Sequence, residues 1–213
     1  MQQFSLNKYI ASGLSKAAAI VGAEESLFRP SGPNDPVGGT PLMTLFCAWD
    51  VKSSFRMTET AQPNHAYATL MADQTLVQPG DYLVGQDTHF VVRVEPLRPA
   101  LCVLCNETID FLNTEVATTA GTNAYGGHVA ANDTPIGTAW PVSMSARTRG
   151  GTDVTKLPSD TRGVYYDVLA PVMPGITLSF GMRVQDSALQ DYEIISAELS
   201  DFGWKLVVGL ATT

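Results

Sequence analysis

The residues of this chain that could do chemistry are few and poorly grouped. Cys102 and Cys105 form a CxxC, histidines occur only at positions 65, 89 and 128, and Asp81 follows Gly80 in a turn-like Gly-Asp-Tyr. A CxxC can hold zinc, but zinc wants four ligands, and no second CxxC and no HxxxH accompanies it. The two cysteines fall in a predicted strand, where residues three apart face opposite sides, so they read as buried thiols of a core strand. With Cys47 the cysteines number three, a poor basis for a disulfide framework. His65 and His128 sit in polar stretches and His89 flanks the Phe90 strand. No spacing links them as ligands, and the two loop histidines read as surface residues. Acid–base work by Asp81 would require a partner within hydrogen-bond reach; it reads better as a turn residue accepting from local backbone N–H groups. No GxSxG, P-loop, GxGxxG or HExxH occurs. The sequence thus nominates no catalytic, cofactor-binding or metal-ligating residue and no cofactor, and a non-enzymatic role is expected.

Elements of this chain must therefore be judged for what they assemble. A chain of 213 residues can bury about 70% of its unfolded surface without staples. The net charge of −8 divides evenly between the two halves, which argues against general binding to nucleic acid or anionic membranes. No basic region followed by a short apolar core opens the chain, and no apolar run approaches the roughly 18 residues of a membrane span. A reducing cytoplasm is the expected place of synthesis, and the sequons at Asn106 and Asn132 read as chance.

Residues 5–21 carry a helical signal, with Leu6, Ile10, Leu14, Ala17 and Val21 on one face. Ser5 can cap its start, Gly22 suits a left-handed turn at its end, and Gly13 costs about 1 kcal/mol unless close packing uses the missing side chain. The helix either lies on the chain's own sheet or docks against a neighbouring subunit. Four prolines between 30 and 41 then forbid regular structure and suggest an extended arm. The expected layout is helix and proline-rich arm over 1–41, a first β lobe over 42–113, a flexible Thr/Gly-rich loop over 114–139, and a second β lobe over 140–213. Residues 42–50, 140–144 and 165–170 read as strands, 52–69 as loop, and 70–73 as strand or turn. Residues 147–153, Arg-Thr-Arg-Gly-Gly-Thr-Asp, read as a solvated turn.

Residues 76–105 and 176–210 read as one β unit written twice. Each has a short lead-in strand, a glycine (Gly80, Gly181), a second strand at 82–84 or 182–184, an aromatic-led strand at 90–92 or 192–195, and an apolar closing strand at 101–104 or 206–210. The fold class expected is mainly β, with two antiparallel barrel- or sandwich-like lobes, an N-terminal helix and long loops. Whether the lobes are separate barrels or halves of one is open. Edge strands and arms of such lobes invite pairing with a rotated copy, which closes into a ring.

The opening NKYIASGLSKAAAIVG, then FRPSGPNDP, then GDYLVGQDTHFVVRVEPLRPALCVLCNETIDF, resembles a group of structural proteins of the tailed-bacteriophage virion. The closing unit is similar to the compact β-barrel of head–tail connector, stopper and adaptor proteins. The resemblance implies a virion component of the neck or tail, a homo-oligomeric ring around the DNA path, with portal, neck or tail proteins as neighbours and no membrane. It supplies no catalytic residue. A channel lined by carboxylates lets DNA slide without sticking, so some of Asp81, Asp87, Asp186, Asp191 and Asp201 are expected to face it. The alternatives are a host-surface or carbohydrate-binding module using Trp140, Tyr125 and Tyr165, and a hydrolase using Asp81 or a histidine.

Overall fold

The computed structural model describes residues 2–50, 66–114, 133–147 and 164–211, with side chains from residue 6 onward. His65, Tyr125, His128, Asn132 and most of the 147–153 turn lie outside the described residues. A helix, α1 (Gln2–Val21), precedes strands β1 (Ala23–Phe28), β2 (Met43–Asp50), β3 (Tyr67–Met71), β4 (Tyr82–Val84), β5 (Thr88–Arg93) and β6 (Ala100–Cys105). A second set follows: β7 (Glu107–Thr114), β8 (Asp133–Ala146), β9 (Tyr165–Ala170), β10 (Arg183–Asp186), β11 (Asp191–Ser200) and β12 (Gly203–Leu210). The first six form a closed antiparallel barrel in the order β1-β2-β3-β6-β5-β4, and the last six close in the matching order β7-β8-β9-β12-β11-β10. The chain is mainly β, with two separate six-stranded barrels and one N-terminal helix.

The duplication extends beyond the two half-units visible in sequence to whole barrels. In the first, the Gly80 N–H donates to the Val91 carbonyl and the Val91 N–H to the Asp81 carbonyl, both at 2.8 Å; in the second, Gly181 and Ile194 repeat this with Met182, at 2.9 and 2.8 Å. Both glycines have positive φ, +90° and +84°, a backbone conformation that side chains resist. Ladder irregularities follow Val91 and Ile194 alike. The lead-in segments are not strands, as the sequence suggested, but successive turns that push Val77 into the first core and Ile176 and Leu178 into the second.

β6 shows why its sequence is apolar throughout. Ala100 and Cys102 join Leu27, Leu70, Leu83 and Val91 inside the first barrel. Leu101 and Val103 join Tyr82 and Phe90 in a cluster continuous with Phe111, Trp140 and Leu169 of the second barrel. A strand buried on both faces loses the apolar–polar alternation. The barrels are thus fused through a shared core. Only Asn106 separates β6 from β7, and its side-chain amide donates to the Met144 carbonyl while its oxygen accepts the Met144 N–H, both at 2.7 Å. The fully buried Tyr82 hydroxyl donates to the Pro141 carbonyl at 2.8 Å.

The structure revises several sequence boundaries. Ala23–Phe28, assigned to the arm, is a barrel strand paired with β2 and β4. Glu107–Thr114, assigned to the first lobe, builds the second barrel. Residues 133–139, assigned to the flexible loop, open β8, and residues 67–69 belong to β3. Both barrels close among the described residues, where β4 meets β1 and β10 meets β7, so neither barrel ends in an unpaired edge strand of the kind expected for ring assembly. The proline-rich segment is a β1–β2 connection latched to the second barrel. The Pro33 carbonyl accepts from the Trp140 Nε1–H at 2.6 Å and the Thr138 N–H at 3.3 Å. Gly137 leaves room for this latch, since a Cβ there would lie 2.4 Å from Ile176 Cδ1 and 3.1 Å from the Pro33 oxygen.

Helix α1 packs on β2 and β3 of its own barrel. Its buried residues are Ala11 and Ala18, while Leu6 and Val21, placed on the inner face by the sequence pattern, are exposed. Gly22 does not adopt positive φ. It is needed for close approach: a Cβ would sit 2.3 Å from the Cys47 carbonyl oxygen of β2.

Candidate functional site

Alternation along a strand sends every second side chain into a barrel. In β1 this buries Glu25 on the same side as Leu27, and in β2 it carries Trp49 inward after Leu45 and Cys47. In β5, His89 precedes the inward Val91 by two. Glu25, Trp49 and His89 therefore meet at one mouth of the first barrel, under the end of α1. One Glu25 oxygen, Oε1, accepts the Trp49 Nε1–H at 2.7 Å. Trp49 stacks on His89 with ring centroids 3.9 Å apart and planes 19° from parallel. Glu25 and His89 are each 7% exposed. Neither Glu25 Oε2 nor His89 Nδ1 has a hydrogen-bond partner. The two residues line a cavity of about 340 Å³ that also touches Val21, Gly22 and Asp87. Gly85 lies against the carboxylate stem, where a Cβ would be 2.7 Å from Glu25 Cγ.

Burial pushes the Glu25 carboxyl above its ordinary range, the Trp49 hydrogen bond pulls it back, and the nearby Asp87 charge raises it further. Burial lowers the His89 imidazole, opposed by Asp87. The Cys47 thiol is pushed up to about 12, first by burial and then by Glu25. Burial also drives Cys102 and Cys105 upward, so none of these thiols offers a thiolate at neutral pH.

A second polar centre lies near the β3–β4 turn. Asp81 accepts from Arg29 Nε at 2.8 Å and Arg29 Nη2 at 2.7 Å, and its Oδ2 also accepts the Gln78 N–H at 2.8 Å. The turn role expected from sequence is present, and a bidentate ion pair adds to it. The Asp81 side chain is 2% exposed, so it cannot line a channel. Asp87 and Asp201 are exposed, whereas Asp186 and Asp191 are half-buried. Asp186 holds its hairpin by accepting from the Ala188 and Gln190 N–H groups and the Tyr192 hydroxyl, and Asp191 accepts from Gln185.

Cys102 and Cys105 are free and face different cores, as expected of strand residues three apart. No group of three or more His, Cys, Asp or Glu could hold a metal ion among the described residues. Among them, too, no helix is long and apolar enough to cross a membrane. Trp140, the leading aromatic for a carbohydrate surface, is fully buried; Tyr165 is partly exposed. His89, read as flanking the Phe90 strand, is in β5 and buried. The Glu25–Trp49–His89 group escaped the sequence reading because β1 itself did; inward alternation of Glu25 with Leu27 was the available signal. No protein-family model, curated protein or solved structure gives a significant match to the chain.

Proposed function

We propose that the chain is a structural component of a tailed-bacteriophage particle, forming a ring in the neck or tail that joins head to tail and surrounds the DNA path. The observation that supports this best is a set of large apolar side chains left uncovered on two closed barrels. Tyr9, Ile20 and Val21 of α1 are 71–83% exposed, and Phe180 is 73% exposed beside the exposed Ile195. The Gly181 N–H bonds to the Ile194 carbonyl, which sets the Phe180 and Ile195 backbones side by side. Neighbouring exposed apolar groups are a feature of interaction surfaces. With both barrels closed, subunits would meet through these side-chain faces. The exposed Asp87 and Asp201 are the remaining acidic residues for a channel wall that repels phosphate.

Mass photometry of the purified chain, alone and mixed with portal or tail proteins, tests the ring. Closed oligomers of one size are expected, reduced to monomers by Phe180→Asp with Ile195→Asp. A strictly monomeric protein under both conditions would sink the reading. A carbohydrate-binding role has lost Trp140, and a hydrolase role has lost Asp81 to its ion pair with Arg29.

A further inference from the structure

We infer that the mouth of the first barrel is a binding site for an organic cation, a guanidinium or primary ammonium group held by Glu25 and the Trp49–His89 stack. The inference is independent of the ring. Its first support is Glu25, a buried residue that lines a cavity of about 340 Å³ and whose Oε2 has no hydrogen-bond partner; the cavity is within the size range of small-ligand pockets. A carboxylate oxygen removed from water and left without a donor is costly, and a cationic donor is the group that would complete it.

The surroundings agree in sign. Glu24 and Asp87 border the same cavity, and among the described residues no lysine or arginine does. Helix α1 ends there with no basic residue in its last turn, leaving the negative end of its dipole uncompensated. The indole face of Trp49 adds an attraction for cations. A metal ion is the poorer fit, since the described residues provide no cluster of three ligands.

The second barrel provides an internal control. Strand registers match Glu25 with Ile109, Trp49 with Met144 and His89 with Tyr192. The same barrel order is thus built without the carboxylate, the indole or the imidazole. The polar trio is not a requirement of the fold.

The test is an NMR titration of the whole chain, following the indole N–H resonances, with methylguanidinium and with methylurea, its neutral counterpart. Expected is a saturable shift of the Trp49 resonance (assigned by Trp49→Phe) with methylguanidinium and none with methylurea. Glu25→Gln, which keeps an acceptor for the indole, should weaken binding about tenfold or more. Equal response to the two probes, or no saturable response, overturns the inference on the wild-type chain alone, whatever the variant's folding. Undiminished binding by a folded Glu25→Gln overturns it as well. Mass photometry at saturating methylguanidinium separates the sources. Dissociation of oligomers assigns the natural cation to a side chain of a second copy, and unchanged mass assigns it to a free organic cation; both outcomes support the site.

Discussion

The two barrels share a strand order, a pair of positive-φ glycines and a hydrogen-bond frame, yet they bury different chemistry at matched positions. Where the first holds Glu25, Trp49 and His89, the second holds Ile109, Met144 and Tyr192. Where the first holds the Arg29–Asp81 ion pair, the second holds Asn113 and Met182. The backbone frame is thus separable from its polar contents. What the second barrel omits, the fold does not demand; what the first retains needs a reason beyond closing a barrel.

The largest test of that separation is the ion pair. Asp81→Ala removes a buried charged acceptor from Arg29 and leaves the Gln78 N–H without its partner, and should cost about 3 kcal/mol in denaturant unfolding, the upper range for hydrogen bonds to a charged group. In the second barrel the Met182 sulfur accepts the Ser179 N–H at 3.4 Å, in the place where Asp81 accepts from Gln78. Arg29→Asn with Asp81→Met, which installs the second barrel's residues, should therefore recover most of the loss. A double variant as unstable as Asp81→Ala would show that the matched positions are not interchangeable.

The second test concerns a contact that has no twin among the described residues. The β1–β2 connection reaches the second barrel at Gly137, whereas a comparable reach from the second barrel to the first is not seen among the described residues. Gly137→Ala forces Ile176 and the Pro33 latch to shift and should cost about 2 kcal/mol, the usual range for overpacking. Faster hydrogen exchange of the Trp140 indole proton than in the wild-type chain would locate the damage at the latch. An unaffected indole proton would mean that the cost arises elsewhere.

Legibility in the sequence followed the kind of signal each segment carried. The closing strands, Tyr165–Ala170 and Gly203–Leu210, were readable because β-branched and aromatic runs bounded by Gly and Pro have few other uses. The repeat was readable where its hydrogen-bond frame needs glycine, at Gly80 and Gly181, and hidden elsewhere. β1 was missed because Ala-Glu-Glu-Ser-Leu-Phe has a single apolar residue, Leu27, at its buried positions, the other being the Glu25 carboxylate. That single omission hid the barrel closure and the Glu25 site together. The proline-rich latch was unreadable for a different reason: its partner lies over a hundred residues away at Trp140. Period cannot report such a contact. The helix face was misjudged by one position, because Ala11 and Ala18, small enough for close approach, are buried in place of Leu6 and Val21.

Helix α1 is also unmatched, since β7 follows β6 after a single residue. Nothing lies within 4 Å of a Cβ built on Gly13, so the missing side chain serves no packing inside the chain. Gly13→Ala should raise stability by about 1 kcal/mol through helix propensity alone. The useful readout is the pairing of two measurements. If the melting temperature rises while oligomer mass is unchanged, that face of α1 is free in the assembly. If the mass falls, Gly13 is where a neighbour approaches.

The smallest effect separates the two mouths by their pH dependence. Glu25 has its carboxyl raised by burial, so above the ordinary glutamate range, near 4.5, the folded state holds this proton more tightly than the unfolded chain. Stability from Glu25 is therefore lost as pH rises through that window, and regained on acidification. His89 runs the other way. Its imidazole is lowered from 6.5, so its contribution is present above 6.5 and is lost as pH falls through the folded value. Ile109 and Met144 in the second barrel contribute neither slope. Glu25→Gln should consequently be slightly more stable than wild type at pH 7, by about 2 °C in Tm, with the gain shrinking to nothing below pH 4.5 while the His89 slope persists. Thermal melts between pH 4 and 8 decide it. A gain independent of pH would mean that the Glu25 charge is not what distinguishes the first mouth from the second.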